Sequence, residues 1–282
     1  MGYRKIPNLY KDVRILDFKE CYALEKIHGT SAHVKYKDDS LHFFSGGMNH
    51  ETFLSLFDQE ALLEKFRAFE CPEVIVFGEG YGGKEQGMRE TYGDKPAFIA
   101  FEVKIGDVWQ YVSNAHEVVL KLGLEFVHYE KGPATIDWLN EQMNAPSVQA
   151  KRNGITEDKL REGVVIRPIK EYRDYRGNRI ITKHKHPKFS ENKTKREIDP
   201  EKLKVLSDAV EVAEEWVTPM RLEHVLDKLP EKGELKHIPI VIKAMIEDIK
   251  LEGEDEIIWS KPVEKAIGKV TALMYKKKIS LI

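Results

Sequence analysis

The hydrophobic pattern of this chain changes period near Ile198, and that change constrains its architecture more than any other feature. Before it, apolar residues come in short alternating or continuous runs at residues 32–36, 41–44, 74–77, 98–105 and 108–112, separated by D-D-S, G-G and G-D turn signals. Such runs predict an antiparallel-rich sheet. Helical spacing interrupts them at 51–69, 115–122 and 135–143, and two more strands are expected at 163–167 and 179–185, so the class is α+β. After Ile198 only helical spacing remains. Asp199-Pro200 pairs an N-cap with a proline at the first helical position, ahead of a stripe formed by Leu203, Leu206, Val210, Ala213 and Val217. Thr218-Pro219 restarts a second helix through Leu222, Val225, Leu226 and Leu229. A third carries Ile242, Met245, Ile246 and Ile249, and a fourth spans 262–276 with Ile267, Val270 and Met274 on one side. The expected organisation is an α+β domain over residues 1–198 and a small all-helical C-terminal domain over 199–282.

Charge placement says more than net charge. The whole chain carries a formal charge of only -2, yet residues 151–196 hold 15 Lys/Arg against 6 Asp/Glu, interleaved with Tyr172, Tyr175 and Phe189. Cations mixed with aromatics suit a phosphodiester backbone and its bases. Residues 1–11 lack the apolar stretch of a secretion signal, and no apolar run is long enough to span a bilayer. The two cysteines, Cys21 and Cys71, have no metal-ligand spacing and are expected to be buried or inert, in keeping with a reducing, cytoplasmic setting.

Five segments carry the chemistry. E-K-I-H-G-T-S, residues 25–31, sets Lys26 among polar neighbours with a glycine three residues on, the pattern of a lysine nucleophile. Gly29 removes a side chain where a nucleotide could approach the backbone. V-I-V-F-G-E-G-Y-G-G-K, residues 74–84, runs an apolar strand into Glu79, whose carboxylate can accept from a ribose hydroxyl. Gly78, Gly83 and Lys84 imitate a phosphate-binding P-loop, but Glu85 stands where that loop needs Ser or Thr. In F-I-A-F-E-V, residues 98–103, alternation places Ile99 and Phe101 on one face, and Ala100 and Glu102 on the other, so Phe101 could lie against a base. R-E-G-V-V-I-R-P, residues 161–168, puts Glu162 ahead of a buried strand, where it could hold a divalent metal. I-I-T-K-H-K-H-P-K-F, residues 180–189, projects Lys183 and Lys185 from one strand face as a phosphate clamp, with His184 and His186 on the other. No third ligand has suitable spacing for a metal site on that histidine pair.

In this order the segments resemble the covalent nucleotidyltransferase superfamily of ATP-dependent polynucleotide ligases and capping enzymes, and most of all its RNA ligase 2 family. K-I-H-G and K-F-S-E favour the RNA ligase branch. The resemblance implies an ATP-dependent ligase that joins 3′-OH and 5′-phosphate RNA ends, at nicks in duplex RNA. Lys26 would take AMP from ATP, pass it to the RNA 5′-phosphate, and leave a 3′-hydroxyl to displace it. His28, Lys183 and Lys185 are implied beside Lys26 in catalysis. Glu25, Ile27, Gly29, Glu79, Phe101, Glu162, Lys183 and Lys185 would contact the nucleotide, with Glu79 on the ribose and Phe101 on adenine. Glu162 would hold Mg²⁺ (Mn²⁺ as an alternative), and Arg167 and Lys188 would contact nucleic acid. A monomer with no membrane association is expected. A DNA ligase, a capping-type guanylyltransferase using the same lysine, and a non-catalytic nucleic-acid-binding module on a decayed ligase fold are the alternatives. The chain departs from the family at Ser31, where asparagine is usual, and at residues 45–47, S-G-G, where an arginine is usual.

Overall fold

The structure is a computed structural model that describes residues 3–193, 198 and 208–279. The chain packs as two compact units, residues 1–186 and 187–282.

The first unit contains two antiparallel sheets. The four-stranded sheet has the order β7-β1-β8-β9, from β1 (Glu20–Lys26), β7 (Tyr129–Pro133), β8 (Gly163–Pro168) and β9 (Thr182–Lys185). The five-stranded sheet has the order β3-β2-β4-β5-β6, from β2 (Thr30–Lys37), β3 (Ser40–Ser45), β4 (Glu73–Tyr81), β5 (Ala97–Ile105) and β6 (Val108–Trp109). Leu24 and Ile27, from β1 and the turn after it, share one core with Ala32, Val34, Val76 and Val103 of the larger sheet. The segment 25–31 is therefore the covalent link between the sheets, with Lys26 the last residue of one and Thr30 the first of the other.

The helix expected at 51–69 is two: α1 (His50–Leu54) and α2 (Gln59–Arg67). Asp58 separates them because its carboxylate accepts from the Ala61 N–H at 3.1 Å, an N-cap that starts a new helix. The short α3 (Arg89–Tyr92) follows β4, and α4 (Val112–Lys121) begins at Val112, which the sequence pattern assigned to the preceding strand. α5 (Ile136–Asn144) and α6 (Val148–Arg152) complete this unit. The P-loop imitation fails structurally as well, since β4 continues through Gly78 to Tyr81 rather than opening into a loop and a long helix.

The alternation read along β5 is broken by a β-bulge. Glu79 pairs with Ile99 and Gly78 with Ala100, but the next residue of β4, Phe77, pairs with Glu102. Phe101 is the extra residue, and the strand's phase shifts by one across it. Ala100 and Glu102 consequently do not share a face, as strict alternation required. Before the bulge Phe98 and Ala100 face the core, and after it Val103 does. Cys21 lies buried in β1, where burial pushes its thiol up to about 12, and Cys71 is half-buried; both are free.

The second unit is helical where it is described, with α7 (Ala209–Trp216), α8 (Pro219–Asp227), α9 (Ile238–Glu252) and α10 (Lys261–Ile279). Thr218 caps α8 through the Arg221 N–H at 3.2 Å, with Pro219 in the first turn, as its sequence signal predicts. The Asp199-Pro200 start, Leu203 and Leu206 lie outside the described residues. Ala213 and Val217 are buried as expected and Val212 and Trp216 join them, while Val210 is exposed. Asp208 caps α7 by accepting from the N–H groups of Val210 and Glu211, which places Val210 in its first turn. Segment 187–193 packs with these helices. Arg221, buried in α8, pairs with Glu191 at 3.2 Å and Asp248 at 2.6 Å, and the Lys193 N–H donates to the Glu215 carbonyl at 3.1 Å. The units divide after His186 rather than near Ile198 because K-F-S-E is tied to the helices in this way. Among the described residues no helix is long and apolar enough to cross a membrane.

Candidate active site

Lys26 ends β1 beside Gly163, the first residue of β8, whose next neighbour across the sheet is Lys185 of β9. One sheet face thus receives Lys26 and Lys185 side by side, and Glu162, just before β8, lies between them. Its carboxylate is the hub: Lys26 Nζ lies 2.8 Å from Oε2, His28 Nδ1 3.1 Å from Oε2, and Lys185 Nζ 3.2 Å from Oε1. Glu162 is 2 % exposed, whereas Lys26 is 22 % exposed. Burial alone would raise the Glu162 carboxyl, but Lys26, Lys185 and His28 outweigh it and hold the group well below the usual carboxylate range.

Glu79 reaches the same charge cluster from β4. A Cβ on Gly29 would lie 2.3 Å from the Gly80 carbonyl oxygen and 2.9 Å from Glu79 Cγ, so glycine is required for β4 to pass this close to the Lys26 segment. The crowding at Gly29 comes from the protein's own strand, a different cause from the nucleotide approach expected of it. The Gly29 N–H also donates to Glu79. Burial pushes the Glu79 carboxyl up to about 7; nearby Lys26 opposes the shift and Glu162 adds to it. Ser31, paired in register with Glu79, accepts from the Tyr3 N–H at 3.2 Å.

Several supporting residues carry no local sequence signal. Tyr92 accepts the His28 N–H at 3.2 Å, and its carbonyl is held by Asn153 at 2.8 Å. Glu25, expected at the nucleotide, is turned away: its carboxylate accepts from Ser147 Oγ at 2.6 Å and the Val148 N–H at 3.0 Å, fixing the start of α6. Adjacent residues of a strand face opposite ways, so Lys26 and Glu25 cannot both point into the site. Ile27 is a core residue, 3 % exposed. Lys183 shares the face of Lys185 and pairs with Val165, and its backbone holds the N-terminal segment through Pro7 and Leu9.

Phe101 and Arg167 sit in a neighbouring cluster. Tyr3 meets the Phe101 ring at 5.1 Å and 87°, and its hydroxyl donates to Glu102. Arg167, expected to contact nucleic acid, is 2 % exposed and pairs with Glu102 at 2.9 Å and with Glu171, while donating to the Gln110 carbonyl at 2.7 Å. Arg179 bridges the same two carboxylates and lies 4.2 Å over the Trp109 ring. The expectation for Arg167 is corrected accordingly: a buried guanidinium holding two carboxylates is a brace between strands and not a surface for phosphates. Lys188 is exposed in a short turn, Pro187–Phe189, of the second unit.

Glu79 and Glu162 offer the hard oxygen donors that Mg²⁺ and Mn²⁺ take. His184 Nε2 meets Asn140 Oδ1 at 2.8 Å. Among the described residues one cluster of three potential ligands, Glu191, His224 and Asp248, lies in the second unit, and Arg221 already occupies it as the counter-charge.

Antiparallel sheets carrying a lysine at the link between them, with carboxylates and further lysines around it, define a nucleotidyltransferase-type ligase fold. The RNA ligase family model matches residues 19–185, and the chain belongs to that family. Solved structures agree at the level of fold. Naegleria gruberi RNA ligase with pyrophosphate is 14% identical at TM-score 0.53, covering 67% of this chain and 57% of that chain. A lysine-to-methionine variant of the same enzyme with AMP and Mn is 12% identical at 0.53, and a lysine-to-alanine variant with ATP and Mn 13% identical at 0.53. The chain thus spans 57% of the length of these ligases. No curated protein matches.

Proposed function

We propose that the protein is an ATP-dependent RNA ligase that seals 3′-OH/5′-phosphate breaks, at nicks in duplex RNA, through a lysyl-AMP intermediate of the RNA ligase 2 type. The observation that carries this reading is the convergence of Lys26, His28 and Lys185 on Glu162, all within 3.2 Å. Lys26 Nζ attacks the α-phosphorus of ATP; the N–P bond forms, the bond to the bridging oxygen breaks, and pyrophosphate leaves with the electron pair. AMP then passes to the RNA 5′-phosphate, and the 3′-hydroxyl expels it.

Before attack Lys26 must lose a proton. Glu162 is held ionised by its cations and is a poor store for that proton, so the proton leaves to the solvent that reaches the 22 %-exposed amine. Lys183 and Lys185, on the same face, meet charge developing on the α-phosphate, for which preplaced cations are the natural supply. Glu79 holds the ribose and Phe101 the adenine. Glu162, with Glu79 near it, would hold the divalent cation through water, and that cation supplies neutralising charge to the phosphates. Naegleria gruberi RNA ligase has been solved with ATP and Mn, which supports nucleotide and metal use here.

The test is incubation with Mg²⁺ and ATP labelled at the α-phosphate, beside Lys26→Ala and a GTP control, after stripping any AMP carried through purification. Label from ATP that survives denaturation and vanishes in Lys26→Ala is expected. Wild-type protein without label would sink the proposal, and label from GTP would redirect it to a capping-type reaction. Nicked RNA and nicked DNA then separate RNA from DNA sealing.

A further inference from the structure

The segment between β8 and β9 gathers basic and aromatic residues that the site above does not use. It is an ordered turn. Asp174 accepts from the Arg176 N–H at 2.9 Å and the Asn178 N–H at 2.8 Å, and Arg14 anchors it from outside at 2.9 Å. Arg173 bridges to Arg179 in an isolated pair and donates to the Gly177 carbonyl at 3.2 Å. Gly177, at φ +81°, supplies the left-handed residue that closes the turn.

The turn sorts its charges. Glu171 faces inward onto Arg167 and Arg179, and Asp174 is spent on the turn and on Arg14. Lys170, Arg173 and Arg176 are all exposed. At the tip Tyr175 is 89 % exposed, with the Arg176 guanidinium 5.1 Å from its ring centroid. A large ring held out in water by a braced turn gains nothing for the fold. A guanidinium near the ring and two more cations around it are what an unpaired base and its phosphates would meet.

We propose that this turn is a second RNA-contacting element, in which Tyr175 stacks on an unpaired base and Arg173 and Arg176 take the adjoining phosphates. The proposal rests on the reading of the protein as an RNA ligase and adds a contact away from the sealing centre. β8 carries the chain roughly 17 Å from Gly163, the residue after Glu162, before the turn begins, at about 3.3 Å per residue. That equals about five nucleotide steps at roughly 3.4 Å each. The base concerned therefore lies in a flank, an overhang or a bulge, about five or more nucleotides from the break.

The test uses the full chain without ATP and measures the anisotropy of labelled nicked RNA duplexes. One is fully paired, and the others carry unpaired nucleotides four to twelve positions from the nick, on either side. Tyr175→Ala is expected to weaken the RNAs with unpaired bases at the longer spacings by roughly tenfold or more. It should leave the fully paired duplex within about twofold, and Tyr175→Phe should bind as wild type. The double variant Arg173→Ala/Arg176→Ala should reduce the slope of log K against log salt by about 1.5. Equal binding of every RNA by Tyr175→Ala, or equal loss on paired and unpaired RNA, would overturn base stacking. Because no step needs ATP, failure here is distinct from failure of the lysine adenylation test, which is read on the wild-type protein alone.

Discussion

Replacing Glu162 with glutamine keeps the shape of the hub and deletes its charge. In the wild-type protein Lys26 and Lys185 sit 2.8 and 3.2 Å from this carboxylate, worth about 5 to 6 kcal/mol each in raw attraction at an effective dielectric of about 20. Most of that is already offset by the desolvation of the ions, and the observable quantity is the cost of leaving the cations unpaired, about 3 to 5 kcal/mol for a fully buried pair. Lys26 is 22 % and Lys185 14 % exposed, so water recovers part of it, and Glu162→Gln should destabilise the first unit by about 2 to 4 kcal/mol. For a unit of this size that lowers the melting temperature by roughly 4 to 16 °C. Removing a cation should act differently. Lys26→Met leaves Glu162 with Lys185 and His28 still in place, and should change stability by less than about 1 kcal/mol. Adding Lys185→Met to Glu162→Gln should recover part of the loss, because the two effects are coupled. Calorimetry of the four proteins at pH 7 decides it. A Glu162→Gln protein that melts within a degree of wild type, or a Lys26→Met protein that falls as far as Glu162→Gln, would show that Glu162 is not the counter-charge of the site.

Other outcomes follow from single contacts. Glu79, raised to about 7 from 4.5, binds more protons folded than unfolded between those values, so its contribution to stability is full below about 4.5 and is lost as pH rises through about 7. Denaturant titrations of Glu79→Gln should show a flatter profile across that window than wild type. Glu162 works in the opposite direction: its contribution is present above about 4.5 and fades as pH falls below it, and acid unfolding of Glu162→Gln should lack that component. Gly29→Ala drives a methyl into the Gly80 carbonyl and should both destabilise by about 2 kcal/mol or more and reduce lysine adenylation, read by labelled AMP on the protein. Arg167→Met should lower the melting temperature yet leave the salt dependence of RNA binding unchanged; a slope reduced by about one unit would restore Arg167 to the RNA surface.

The sequence showed the site better than its supports. Lys26, Glu162 and Lys185 stand in short segments whose residue types announce a charged cluster before a buried strand, and the structure brings them together. Glu25 and Arg167 carry similar charge in the same segments but have structural partners, Ser147 for one, Glu102 and Glu171 for the other. Ser147 and Glu102 are distant in sequence, and Glu171, four residues from Arg167, lies beyond the end of its strand, so no local pattern reveals the pairing. β7 was missed because Y-E-K-G-P reads as a polar turn; it is a charged sheet edge, half of it exposed, whose glycine accommodates Trp138. β1 was missed for a related reason, since E-C-Y-A-L-E-K alternates poorly when both faces of its middle are buried. α6 has only five residues, too few to show a helical period.

The bulge in β5 has a consequence for how this strand tolerates change. Phe98 and Ala100 are in one phase and Val103 in the other, so the positions facing the core follow a period of two that skips a beat at Phe101, while Ile99 on the opposite face is buried as well. Deleting Phe101 itself would restore regular pairing with Phe98, Ala100 and Val103 all still facing the core, whereas deleting a paired residue on either side of it would turn that side of the strand over. Insertions and deletions in the loops at either end of β5 leave that phase untouched. A survey of single-residue deletions along residues 94–108 should therefore find viable chains at its ends and at Phe101, and none at the paired residues between, as though the strand were two short strands spliced out of step.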